Sequence, residues 1–149
     1  MCSLKRRIMK FKSQEESNEN PFLKSIIDLI VLCKQFLYAI NSCNITESLQ
    51  LSYIKRNIES SCSDLVKLAI ALDSEHKHPT MTVDYVPVES VKDLKTIEEK
   101  YYNMLKEIGN NALEQNNAEV FSYLSHIIKE FDHYFCTLNE DDNSGETSS

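Results

Sequence analysis

Residues that interrupt helices are scarce in this chain, and tryptophan is absent. Only two glycines and three prolines occur among its 149 residues, which argues against a sheet-based fold, because tight turns between strands draw on both residue types. Long runs of Leu, Ile, Lys and Glu, which favour helices, occupy the sequence instead. With 42% hydrophobic residues available for a core, the composition predicts one all-α globular domain.

An excess of positive charge and long apolar runs are also lacking. The formal net charge of -7 disfavours general attraction to nucleic acid or to an anionic membrane. The basic residues that do occur are concentrated near the start, at Lys5, Arg6, Arg7, Lys10 and Lys12. Since neither an apolar core of signal-peptide length nor a run of about 18 apolar residues is found, we expect no secretion and no membrane span.

The cysteines do not form the close pairs that a zinc ribbon requires. There are five of them, an odd number, at Cys2, Cys33, Cys43, Cys62 and Cys136. Such dispersed cysteines favour a reduced interior over a disulfide framework. The expected compartment is therefore the cytoplasm.

Polar segments flank the predicted domain on both sides. Residues 1–21 form a basic arm and residues 139–149 an acidic tail, and both contain too few apolar residues to pack. We expect both segments to be disordered. The domain itself is predicted to occupy residues 22–138.

Four helical stretches are predicted within this domain from apolar residues spaced three and four apart. The first, residues 25–42, is apolar on nearly every side, as expected for a helix buried in a bundle or an oligomer interface. The second begins near Thr46, the third begins near Ser90, and the fourth follows a turn at Asn116 and Asn117.

The connections between these helices predict how they are arranged. The first and third connections are short, so each joins antiparallel neighbours. The middle one, residues 73–89, contains two prolines and is long enough in extended form to travel the length of a bundle. We therefore predict an antiparallel four-helix bundle made of two helical hairpins joined by a long crossover.

Three stretches carry a resemblance to a known family. "KQFLYA" in the first helix resembles a stretch typical of bacterioferritins, and "IEEKYYNMLKEIGNNALEQNN" with "YLSHIIKEFDHYFCTL" resembles the last two helices of ferritins and bacterioferritins. The resemblance covers roughly residues 22–138 and implies a ferritin-like four-helix bundle.

The resemblance also implies a set of iron ligands. In such bundles two helices each supply a carboxylate and the other two each supply a Glu-x-x-His pair, which together hold two iron ions. The fourth helix matches its pair with Glu130 and His133. The second helix departs from the pattern, because Ser61 and Asp64 stand where glutamate and histidine belong. The implied ligands for non-haem iron are Asp28, Asp64, Glu98, Glu130 and His133.

Three interpretations of the function follow. If the altered site binds iron, the chain would oxidise ferrous iron with oxygen or peroxide and take part in iron storage, as a homo-oligomer. The alternative is a metal-free bundle that acts as an oligomeric scaffold or a protein-interaction module, and the missing ligands on the second helix favour it. A small helical adaptor unrelated to ferritins is a third reading.

Each implied ligand also has an ordinary structural explanation. A Glu-x-x-His pair arises by chance on amphipathic helices, where it is solvated. Asp28 lies in an apolar run and therefore needs a partner, which could be Tyr102 or Gln35 instead of a metal. The tyrosines expected near the site, among them Tyr101 and Tyr134, are explained equally well by core packing.

Overall fold

A computed structural model describes residues 21–73 and 81–148, with side chains as far as residue 140, and these residues form helices and connecting loops without any strand. The helices are α1 (Pro21–Ser42), α2 (Leu49–Leu72), α3 (Val91–Thr96), α4 (Glu98–Glu114) and α5 (Ala118–Ser148). Four of them are long, and α3 is a single short segment that leads into α4. The predicted all-α class is confirmed.

The predicted helix starts agree with the structure in part. Pro21 opens α1, where its missing N–H costs nothing. The start of α2 was expected near Thr46, but the cap is Ser48, whose hydroxyl accepts a hydrogen bond from the Leu51 N–H at 3.1 Å. Ser90 caps α3 as expected by accepting from the Asp93 N–H at 3.2 Å.

The third predicted helix is interrupted. Ile97, with φ -96° and ψ 5°, leaves the helical conformation and separates α3 from α4. The turn before α5 lies where the two asparagines predict it, and Asn116 adopts a left-handed backbone with φ 55°, a conformation that asparagine tolerates better than most residues.

The structure describes the two predicted terminal segments to different extents. Residues 1–20, which include the basic cluster and Cys2, lie outside the described residues, as do residues 74–80 of the crossover. At the other end the backbone of α5 stays helical to Ser148, within the segment for which composition predicts an acidic, disordered tail. The disorder of both ends stays a prediction.

The core forms where α1 meets the other long helices. The α1 helix packs on α2, α4 and α5, and α5 also packs on α2 and α4. Seven α1 side chains are fully buried: Ile26, Leu29, Ile30, Leu32, Cys33, Phe36 and Ala39. This explains why α1 is apolar on nearly every side, as the sequence indicates.

The end of the crossover is fastened to the end of α1. The Ser42 hydroxyl accepts a hydrogen bond from the Val88 N–H at 2.8 Å, and the Asn44 N–H donates to the Glu89 carbonyl at 3.4 Å. Val88 itself is buried. We call this set of contacts the Ser42–Val88 clasp.

Close helix packing requires a glycine at one point. A Cβ on Gly109 of α4 would lie 3.1 Å from Leu124 Cδ2 on α5, closer than ordinary van der Waals contact. Within residues 21–73 and 81–148, no helix combines the length and the apolar character of a membrane span.

Candidate functional site

The Glu-x-x-His pair on α5 is divided between two environments. His133 is exposed, and its Nε2 lies 3.2 Å from Gln50 Nε2 on α2, which donates to it when that ring nitrogen is unprotonated. Glu130 is partly buried, and its Oε1 is shielded from solvent without a hydrogen-bond partner. The two side chains therefore do not share one polar site.

The remaining implied ligands lie on three other helices. Asp28 on α1 has a side chain 37% exposed and forms an ion pair with Lys24 at 3.4 Å, one turn earlier on the same helix. Its partner is thus neither Tyr102 nor Gln35. Asp64 on α2 is exposed, as expected for a residue outside the apolar face of that helix.

Glu98 opens α4 and is partly buried. Burial raises the pKa of its carboxyl group above the ordinary value, the nearby Asp132 carboxylate raises it further, and Lys95 opposes the shift. Asp132 in turn accepts a hydrogen bond from the Tyr102 hydroxyl. Glu98 therefore takes part in a local carboxylate cluster at the contact between α4 and α5.

These groups do not assemble into a metal centre. Among the side chains described, no three His, Cys, Asp or Glu residues are grouped so that they could hold a metal ion. An iron pair requires several bridging oxygens and imidazole nitrogens at one point. The described donor set does not fit that requirement, and iron binding stays a prediction from the resemblance.

Aromatic rings occupy the interior where α1, α4 and α5 meet. The Phe36 ring on α1 stacks on Phe131 with centroids 4.3 Å apart, and the rings of Tyr101 and Tyr134 approach it edge-on at 5.3 Å and 5.5 Å. Phe131 directly follows Glu130 in α5, so the cluster lies at the level of the Glu-x-x-His pair. Tyr101 and Tyr134 of the predicted tyrosine cluster are thus part of a packed aromatic core, whereas Tyr123, which was expected beside them, is 37% exposed.

One polar atom of this core has no partner. Tyr134 is fully buried, and its hydroxyl makes no hydrogen bond. Burial raises the pKa of this hydroxyl, and the neighbouring Glu47 and Cys43 raise it further. The group therefore stays neutral, and its burial without a partner costs free energy of folding.

A surface groove between α1 and α2 was not predicted from the sequence. It has a volume of about 520 Å³, and its lining residues come from α1, α2 and the crossover: Lys34, Leu37, Tyr38, Glu59, Cys62, Ser63, Val66 and Tyr85. The Tyr38 and Tyr85 rings meet at its rim with centroids 5.2 Å apart and an angle of 62° between their planes. We call this feature the α1–α2 groove.

The polar groups of the α1–α2 groove are poorly suited to nucleophilic chemistry. Cys62 is buried, and burial raises the pKa of its thiol while Lys34 opposes the shift. A thiol with a raised pKa is a weak nucleophile at neutral pH. The groove therefore offers a surface for binding. Its trace in the sequence is the apolar pair Tyr85 and Val86 within a polar connection, and no spacing links that pair to α1 or α2.

Comparison of the chain with protein-family models, with curated proteins and with solved structures finds no match.

Proposed function

We propose that this chain is a ferritin-like four-helix bundle that functions as a protein-interaction module without a metal centre. The observation that carries the proposal is the α1–α2 groove, where two exposed tyrosines border a partly apolar surface. Tyrosine combines a large apolar area with a polar tip and is enriched at protein interfaces.

Pairwise contacts support the antiparallel arrangement. On α2 and α5, Gln50 contacts His133 and Ser61 contacts His126, so the residue number rises on one helix as it falls on the other. Contacts between α4 and α5 follow the same rule, since Tyr102 bonds to Asp132 and Gly109 lies against Leu124. These contacts support an arrangement in which α5 is antiparallel to both α2 and α4.

The Ser42–Val88 clasp supports a crossover that travels the length of the bundle. The connection leaves α2 after Leu72, at the end of a helix of 24 residues, which corresponds to about 36 Å. It ends at Val88, beside Ser42 and therefore near the opposite end of α2. A connection of this kind is found in ferritin-like bundles.

The metal-free part of the proposal is supported by the contacts of the implied ligands. Asp28 is paired with Lys24, and His133 lies against Gln50. Phe36 and Phe131 stack in the interior, and Phe131 directly follows Glu130 in the chain. Aromatic rings supply no hard oxygen or imidazole ligand for iron.

Metal analysis tests the metal-free part of this proposal. The full chain would be purified from iron-supplied cells beside Glu130→Ala and the control Glu99→Ala, which changes an exposed glutamate of α4. We expect the same trace of iron in all three proteins. Iron near or above one ion per chain that is lost only in Glu130→Ala would overturn the metal-free proposal.

A further inference from the structure

We propose that the α1–α2 groove receives a short amphipathic helix of a partner protein, with an acidic side chain facing Lys34 and a basic side chain facing Glu59. This inference rests on the proposed interaction function and names its site and the chemistry of its partner.

The dimensions suit a helical segment. On α2 the lining residues run from Glu59 to Val66, about two helical turns or roughly 10 Å along the axis. On α1 they run from Lys34 to Tyr38, about one turn. A groove bordered by two helices over this length accommodates apolar side chains that a third helix presents at intervals of three and four residues.

The apolar part of the groove is largely preformed. Leu37 and Val66 are partly buried and pack against the core, so their positions are held by the bundle. Tyr38 and Tyr85 are 40% and 52% exposed, although each ring is supported by the other. Ordering two tyrosines before binding reduces the entropy lost on association, and a tyrosine that becomes buried in a complex is a common hot spot.

The charges distinguish the two walls. Lys34 belongs to α1 and Glu59 to α2, and neither forms an ion pair or a side-chain hydrogen bond with any residue that the structure describes. A partner that offers both an acid and a base would be oriented by these two groups, because the reversed orientation would bring like charges together. Charge complementarity therefore specifies the direction of the bound helix.

Other exposed apolar residues lack such surroundings. Tyr53 is 62% exposed on α2 but is not among the residues that line the groove. A single exposed aromatic residue is normal on a protein surface. Tyr53 therefore serves as the matched control for Tyr38 and Tyr85.

A selection experiment tests the inference with a defined probe. A phage-displayed library of amphipathic helical peptides of about four turns would be selected against the full chain. The enriched peptide would be labelled with fluorescein, and its binding to wild-type, Tyr38→Ala, Tyr85→Ala and Tyr53→Ala proteins measured by anisotropy. Circular dichroism would verify that each variant stays folded, as expected for exposed side chains.

We expect Tyr38→Ala and Tyr85→Ala each to weaken binding about tenfold, and Tyr53→Ala to change it less than about twofold. Lys34→Glu should weaken the binding of peptides that carry the acidic residue. Replacing that peptide residue with lysine should restore binding to the Lys34→Glu protein. This reversal would establish the direction of the helix.

Three results would contradict the proposal, each in a different way. Equal binding to all variants would overturn the groove as the site while leaving an interaction function at another surface. Failure of the library to yield any binder would overturn both. A wild-type dimer in sedimentation velocity that Tyr85→Ala converts to monomer would overturn the partner helix, because a second copy of the chain would then occupy the groove.

Discussion

Removing the hydroxyl of Tyr134 should stabilise this protein. The hydroxyl is fully buried without a hydrogen-bond partner, and burying such a group costs about 1–3 kcal/mol in proteins. In Tyr134→Phe the ring that meets Phe36 edge-on at 5.5 Å is retained. Since only the unpaired oxygen is lost, we expect the free energy of unfolding to rise by about 1–2 kcal/mol.

The assay is urea denaturation of the wild-type and variant proteins, followed by circular dichroism at pH 7. Tyr102→Phe is the matched control, because the Tyr102 hydroxyl donates a hydrogen bond to Asp132. Removing that hydroxyl should lower the free energy of unfolding by about 0.5–1.5 kcal/mol. Removal of a tyrosine hydroxyl is thus expected to raise the free energy of unfolding at Tyr134 and to lower it at Tyr102.

The reasoning would be refuted by a Tyr134→Phe protein that is less stable than the wild type by about 1 kcal/mol or more. A loss of that size is typical of a broken hydrogen bond. The buried hydroxyl would then have a partner, and the aromatic interior would contain a polar contact that the packing of the rings does not explain.

Four further variants probe the core, the carboxylate cluster and the turn before α5. Phe36→Ala should lower the free energy of unfolding by about 3–5 kcal/mol in urea denaturation, because Phe36 is fully buried against Phe131, Tyr101 and Tyr134. Burial and Asp132 raise the folded-state pKa of Glu98, so the stability that the protonated carboxyl group contributes is lost as pH rises through that pKa. Glutamine stays neutral at every pH. The Glu98→Gln protein should therefore be more stable than the wild type at pH 7. In urea titrations at several pH values, the difference in the free energy of unfolding between the two proteins should vanish below pH 4.5, the ordinary pKa of the carboxyl group. A difference that does not change with pH would contradict the raised pKa of Glu98. Asn116→Ala should cost about 1 kcal/mol because of its left-handed backbone, whereas Asn116→Gly should not lower the thermal midpoint.

The helices were predictable because their signals are local. Apolar residues three and four apart report which side of a helix is buried, and capping residues such as Ser90 mark its start. The break at Ile97 carries no such signal, since neither glycine nor proline stands there. Spacing and capping residues therefore predict one continuous helix where the structure has two.

The candidate site was less predictable, because spacing along one helix does not report its surroundings. The Glu-x-x-His spacing could not indicate that His133 would face Gln50 while an oxygen of Glu130 would be buried. The α1–α2 groove depends on contact between Tyr38 and Tyr85, which are far apart in the chain. Such a pair is recognisable only when the end of the crossover has been placed.

The Ser42–Val88 clasp holds the end of the crossover against the end of α1 by noncovalent contacts. Its hydrogen bonds connect residues before the crossover with residues at its end, and α4 and α5 pack on the helices that precede the crossover. Two fragments, 1–76 and 77–149, should therefore reassociate as a split protein when they are produced together.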